Sequence, residues 1–242
     1  MEKKLEAVAH IHTPYPEKFG IPRQSGLVAA PGEIVFTPAY RSPDAVRGIE
    51  EFSHLWLLWE FSGAGQEGFV PLVSPPRLGG KEKRGVFATR SPFRPNSIGL
   101  SSVALKEVRL EKKRGPVLLV EGADLLDGTP IYDIKPYLPY TDSHPEAAGG
   151  FGQMHSGDGI AVDFPKELLM QLPRELQKPA LDALAQDPRA AYNKRPDYMY
   201  GMAFGDYDIR FVVDGTLVVR SVSRRNDGTF CKIKGRTGET GE

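Results

Sequence analysis

Apolar and polar positions alternate along the first 140 residues or so in short runs rich in β-branched and aromatic side chains, each cut by Pro or Gly. Residues 5–11, 32–37, 54–61, 84–89, 98–107 and 117–125 carry this pattern, and each is predicted to form a strand. Residues 43–52 predict one short helix, but no long amphipathic helix separates most of the strands. Parallel strands need such crossovers, so the pattern favours an antiparallel sheet or a small β-barrel over a doubly wound α/β fold.

The pattern changes after Ser143. Residues 144–158 are rich in Gly, Ala and Ser and predict an exposed connection. This places a boundary between a domain of residues 1–143 and a smaller one of residues 144–242. Beyond it, Asp163 predicts a helix cap with Pro165 near the first turn, and Leu168, Leu169, Leu172 and Leu176 fall on one helical face. Pro173 and Pro179 are predicted to divide that helical region. Asp214-Gly215 separates two alternating runs, 208–213 and 216–222, which is a strong hairpin signal. The expected fold class is therefore mainly β with an α+β extension.

Charge changes this picture only locally. Among 242 residues, Lys+Arg and Asp+Glu both total 31, so any electrostatic footprint must lie in a patch. From Arg210 onward seven Lys/Arg face four Asp/Glu, including Arg220, Arg224, Arg225, Lys232, Lys234 and Arg236. The only cysteine is Cys231, which excludes an internal disulfide framework and a Cys-based zinc cluster and suits a reducing, cytoplasmic location. The first twenty residues hold no apolar run that would serve as a signal-peptide core, and the most apolar stretch, 55–61, is too short to cross a bilayer.

Several motifs can be weighed on spacing alone. Residues 63–68, GAGQEG, match G-x-G-x-x-G after a predicted strand, but residues 69–76 continue with three prolines instead of the helix that receives a pyrophosphate. A loop is favoured. His10, His12, His54, His144 and His155 lack metal-ligand spacing, so no metal site is expected, and no nucleophile elbow occurs. Residues 85–101, GVFATRSPFRPNSIGLS, run a strand into a loop stiffened by Pro92 and Pro95 that presents Arg90, Arg94 and Asn96. A binding loop and a pair of ordinary ion-paired arginines fit this spacing equally. Residues 124–140, DLLDGTPIYDIKPYLPY, gather Asp124, Asp127 and Asp133 about a tight turn, and turn formation explains them before any ligand does.

At these two segments the chain resembles the TrmO (TsaA-like, YaeB-like) family of tRNA methyltransferases. The likeness extends to FGIPRQ at 19–24, DAVRG at 44–48, FSHLW at 52–56, PRLGG at 76–80, LAQDPRAAY at 184–192 and the run 208–212. It implies a β-barrel catalytic domain, not a Rossmann fold, acting as a homodimer with S-adenosylmethionine near the subunit interface. The implied reaction is methylation of N6 of threonylcarbamoyladenosine, 3′ of the tRNA anticodon.

Carried over by position, the cofactor contacts would be Pro22, Arg23, Gln24, the end of the 54–61 strand, Ser62, Gly63, Arg90, Leu100, Glu121, Gly122, Ala123 and Asp124. The family often has a histidine followed by a polar residue after the strand ending at Phe61, where this chain has Ser62-Gly63, so contacts there are expected through backbone. Asp133 and Tyr137 are candidates for catalysis, and Arg94, Lys135, Arg220 and Arg224 for tRNA. Alternatives are a non-catalytic RNA-binding or regulatory module that senses S-adenosylmethionine, and a small-molecule methyltransferase.

Overall fold

A computed structural model of the chain describes residues 4–62, 69–75, 78, 82–153, 159–189, 195 and 198–225. Strands β1 (Ala9–His12), β2 (Pro31–Phe36) and β3 (His54–Glu60) come first, followed by the short β4 (Leu72–Val73) and β5 (Arg84–Gly85). The strands β6 (Ile98–Glu111), β7 (Gly115–Glu121) and β8 (Thr129–Pro136) complete the N-terminal half. Six of these strands close into a barrel in the order β1-β2-β7-β6-β3-β8, with every pair antiparallel. Among the described residues, β4 and β5 pair with each other as a separate two-stranded sheet.

The period-two pattern explains the closure. In β3, Leu55, Leu57 and Trp59 point inward while His54, Trp56, Leu58 and Glu60 alternate outward. Leu55 and Leu57 join Ile11, Ile34, Leu118 and Ile131 in the barrel core, all with no exposed surface. Burial of each such side chain favours the fold by about 1.5–3 kcal/mol, so a one-residue slip in register would be costly.

Two one-turn helices follow the barrel, α1 (Pro139–Asp142) at the end of the N-terminal half and α2 (Gly150–Gln153) after it. After β9 (Val162–Asp163) come α3 (Lys166–Leu169), α4 (Arg174–Ala185), β10 (Tyr200–Phe204), β11 (Tyr207–Asp214) and β12 (Thr216–Arg224). The sheet order is β10-β11-β12-β9, with β9 parallel to β12. Leu176, Ala180, Ala183 and Leu184 form one face of α4 and pack with Met202, Phe204, Ile209 and Phe211.

That second core also contains Tyr15, Val28 and Ala30, with Phe19 and Ile21 packed at its margin. These residues belong to the connection between β1 and β2, which leaves the barrel and lies on the C-terminal sheet. Gly205 donates its backbone N–H to the Pro14 carbonyl at 2.8 Å, and Ala203 N–H reaches the Glu17 carboxylate at 3.3 Å. Gly20 sits at φ +97 so close to Met202 that an added Cβ would lie 2.7 Å from its side chain.

Several local expectations need correction. The predicted strand at 84–89 is only Arg84–Gly85 followed by a 3-10 turn, Val86–Ala88, because the Thr89 hydroxyl caps the Val86 carbonyl at 2.8 Å. The helix expected at 43–52 is two 3-10 turns, Pro43–Val46 and Ile49–Glu51, separated by Gly48 at φ 82. Asp163 caps no helix but pairs with Val218 in the sheet, and Pro179 lies inside α4 instead of dividing it. The predicted hairpin about Gly215 is β11–β12.

Candidate functional site

A cavity of about 490 Å³ opens where the β1–β2 connection meets the ends of β3 and β6 and the segment after β7. Its size suits a small-molecule or cofactor site. Pro22, Arg23 and Gln24 come from the connection, Trp56, Trp59, Glu60, Phe61 and Ser62 from β3 and its exit, and Ile98, Gly99 and Leu100 from β6. Thr89, Arg90, Pro92 and Arg94 come from the proline-stiffened loop, and Asp124, Leu126 and Thr129 complete the wall.

One polar chain crosses this wall. The Trp59 indole N–H donates to Ser101 Oγ at 3.0 Å, and Ser101 donates to Asp124 Oδ1 at 2.5 Å. Burial pushes the Asp124 carboxyl above its ordinary value, opposed by the Ser101 hydrogen bond and the Arg90 charge. Trp59 lies flat against Gly99, where a Cβ would fall 2.3 Å from the indole, so this strand glycine is required by the close approach of the ring. Phe61 extends the aromatic wall, its ring 4.3 Å from that of Trp59.

The cations are held as firmly. Arg90 donates to Gln24 Oε1, joining the stiff loop to the β1–β2 connection. Arg94 donates to the Thr89 carbonyl at 2.8 Å, folding the loop on itself, and Arg23 reaches the Asp187 carbonyl at 3.3 Å. Glu60, the other carboxylate lining the cavity among the described residues, accepts from the Tyr132 hydroxyl at 2.6 Å. Burial first, then this hydrogen bond, pushes the Tyr132 hydroxyl up to about 12.

The structure thus brings together Pro22, Arg23, Gln24, Ser62, Arg90, Leu100 and Asp124 of the expected cofactor residues. Gly63 lies outside the described residues. Glu121, Gly122 and Ala123 do not line the cavity: Glu121 pairs with Lys106 at 3.3 Å and Ala123 is in the barrel core. Gly122, at φ 90, accepts from Gly26 N–H at 2.8 Å and so ties the connection to β7.

Asp133 and Tyr137 also lie off the cavity. The Asp133 carboxylate is taken by Lys135 Nζ and by the Ile134 N–H, both at 2.9 Å. Tyr137 packs on Trp56, a lining residue, with ring centroids 5.4 Å apart. Of the residues expected to meet RNA, Arg94 lines the cavity and Lys135 is bound to Asp133. Arg220 and Arg224 are exposed on β12, Arg224 over the Tyr207 ring at 5.9 Å. Lys232, Lys234 and Arg236 fall outside the described residues. The end of the 54–61 strand, which the family likeness also pointed to, does line the cavity through Trp59, Glu60 and Phe61. Gly99 and Ser101 were not named as contacts, and the one sequence signal for them was a glycine within an apolar strand. Among the described residues no group of three His, Cys, Asp or Glu is placed to hold a metal.

Comparison with known proteins gives this geometry a context. Residues 10–143 match the tRNA-methyltransferase O N-terminal domain, and residues 158–224 match the TrmO C-terminal domain. The chain is 45% identical over 219 residues to the tRNA (adenine(37)-N6)-methyltransferase of Escherichia coli, covering 87% of this chain and 93% of that one. It is 40% identical over 220 residues to a putative S-adenosylmethionine-dependent methyltransferase, RcsF, of Pseudomonas aeruginosa, with the same coverage of 87% and 93%. The crystal structure of TrmO from Pseudomonas aeruginosa superposes with a TM-score of 0.72 at 33% identity, covering 92% of this chain and all of that one.

Proposed function

The chain belongs to the tRNA-methyltransferase O family, and on that premise we propose that its cavity binds S-adenosylmethionine and methylates N6 of threonylcarbamoyladenosine beside the tRNA anticodon. The coarser activity, methylation of N6 of a tRNA adenine, follows from its relatives. The observation that supports the cofactor part of the reading is the cavity's donor set: an aromatic wall, one part-buried carboxylate and fixed guanidinium groups.

These residues fit the cofactor. Trp59 and Phe61 offer an apolar face to an adenine ring. Asp124, aimed by Ser101, accepts from a ribose hydroxyl or an amino group, and Arg90 and Arg23 offer charge to a carboxylate. When bound, S-adenosylmethionine supplies an electrophilic methyl group on a sulfonium whose positive charge fades in the transition state. Carboxylates tightly paired with that charge would favour the ground state. Both cavity carboxylates instead hold hydrogen bonds of their own, Asp124 from Ser101 and Glu60 from Tyr132. The chain's contribution is alignment and exclusion of water by a rigid wall. Tyr137 supports that wall through Trp56.

A second copy is part of the proposal. Phe69, Phe87, Phe93 and Leu100 are exposed beside the cavity, with Phe69 and Phe87 stacked at 6.2 Å and Phe87 against Arg94 at 5.9 Å. Such an apolar rim suits a homodimer that covers the site. A cytoplasmic location accords with a tRNA substrate, and none of the described helices is long and apolar enough to cross a membrane.

Labelled S-adenosylmethionine incubated with tRNA carrying or lacking threonylcarbamoyladenosine tests the reaction. Label confined to the modified tRNA is expected. Cofactor binding without label in either tRNA would favour a sensor or a small-molecule acceptor.

A further inference from the structure

A second cavity, about 740 Å³, lies against the other side of the same β1–β2 connection and shares Lys18, Ile21 and Arg23 with the first. Its walls are cationic and aromatic: Lys18, Arg23, Arg189 and Arg195 with Tyr198 and Tyr200. The acid lining it is Asp187, whose two oxygens bind Arg189 at 2.8 and 2.9 Å, so among the described residues the lining carries surplus positive charge.

The aromatic part is built as a platform. Tyr198, half exposed, meets Tyr200 edge-on at 4.8 Å, and the Arg195 guanidinium lies 5.8 Å from the Tyr198 ring centre. The Tyr200 hydroxyl accepts the Arg195 backbone N–H at 3.1 Å, which fixes the position of Arg195 beside the ring. Asp187 holds a positive φ of 46°, rare for a residue with a side chain, while its carboxylate is clamped by Arg189 and its carbonyl accepts from Arg23. The second cavity is therefore geometrically joined to the first through Arg23.

A guanidinium beside a half-exposed tyrosine ring, here Arg195 beside Tyr198 with the buried Tyr200 as its support, is the chemistry that binds single-stranded nucleic acid, in which each base stacks and each phosphate carries one charge. A base that reacts must leave its stack, and its neighbours are then splayed apart. We infer that this second cavity holds an anticodon-loop nucleotide adjoining the target adenosine, its base on Tyr198 and its phosphate at Arg195. The inference rests on the reading of the first cavity as the methylation site.

Binding of a fluorescent anticodon stem-loop RNA, measured across salt concentrations, tests it with Tyr198→Ala, Tyr198→Phe and Arg195→Ala. Calorimetric binding of S-adenosylmethionine is the control in each variant. Tyr198→Ala should weaken RNA binding by about 5- to 150-fold, the loss of one stacked base, while Tyr198→Phe retains it. Arg195→Ala should lower the salt slope by about one. Cofactor affinity should stay unchanged in all three. Unchanged RNA affinity and slope, with wild-type protein still methylating tRNA, would overturn the second site alone, as would equal losses in Tyr198→Ala and Tyr198→Phe. Wild-type protein that neither binds nor labels tRNA would overturn the methylation reading and the second site together.

Discussion

The barrel and the C-terminal sheet reach completion in different ways. Every buried member of the barrel core lies between Ala9 and Ile131, and its strands pair around a full circle. The C-terminal core incorporates Tyr15, Val28 and Ala30 from the other half of the chain. Dependence is therefore asymmetric: the barrel encloses its own core, whereas the sheet needs the β1–β2 connection to cover it. That connection also supplies Pro22, Arg23 and Gln24 to the first cavity, so the site's loop is held in place by the second core.

The sharpest test weakens each half separately. Phe211 is fully buried in the C-terminal core and stacks on Phe19 at 6.4 Å and Tyr200 at 5.6 Å. Phe211→Ala should cost about 3–5 kcal/mol of stability and also weaken S-adenosylmethionine binding, because Phe19 belongs to the loop. Denaturant titration and calorimetry read the two effects. Unchanged cofactor affinity would break the comparison.

A barrel substitution should behave differently. Glu33, with a side chain 5% exposed, accepts from Arg114 at 2.8 Å, and Arg114 also binds Glu111. Arg114→Ala leaves the Glu33 carboxylate buried without this partner, at a cost of about 2–4 kcal/mol, below the value for a fully buried pair because Arg114 is partly solvated. Neither residue lines the first cavity. Stability should fall in denaturant titration while cofactor affinity, measured at a temperature where the variant is folded, is retained.

How far this asymmetry was legible in the chain depends on distance along it. Alternation marks His54–Glu60 as a strand and Asp214-Gly215 as a hairpin, since both signals lie within a few residues. β8 was hidden: Thr129–Pro136 carries two prolines, an aspartate and a lysine, and reads as a turn region. It is nevertheless a wall of the barrel, with Pro130 opposite His10 and Pro136 opposite Leu55. The family likeness pointed to Arg23, Arg90 and Asp124, which meet at one cavity. It pointed to the end of the 54–61 strand but not to Ser101, whose role is to join Trp59 to Asp124 by hydrogen bonds between segments far apart in the chain. Nor does any local pattern announce that Tyr15 and Val28 belong to a core more than 140 residues away.

A smaller perturbation addresses the connection itself. Gly20→Ala places a methyl group against Met202 at a positive φ, which should cost about 1–2 kcal/mol. Because Met202 can shift, part of the strain passes to the loop, and S-adenosylmethionine affinity should fall by up to about tenfold, 1.4 kcal/mol being a factor of ten. Gly99→Ala, which presses on Trp59 in the wall, provides the comparison from the barrel side. Gly99→Ala should lower affinity through the wall itself, so unchanged affinity in Gly20→Ala beside a loss in Gly99→Ala would show that the sheet does not hold the loop.

The smallest expected effect is a pH dependence belonging to the barrel. His12 Nδ1 lies 3.2 Å from Asp127 Oδ1, which also accepts the Thr13 N–H at 3.1 Å. The Asp127 hydrogen bond raises the His12 value above its ordinary 6.5, against the opposing pull of burial. The Glu33 charge adds to the rise and the Arg114 charge opposes it. Since the folded value exceeds the unfolded one, the stabilisation is fully present below about pH 6.5 and is lost as pH rises through the raised folded value. His12→Gln should reduce this dependence when denaturation is compared at about pH 5.5 and about pH 8.5. The pair lies on the barrel, outside the C-terminal core and off the first cavity's lining, so cofactor affinity should differ little between the wild-type protein and the His12→Gln variant at either pH. An equal pH slope in both proteins would assign the titration to another group.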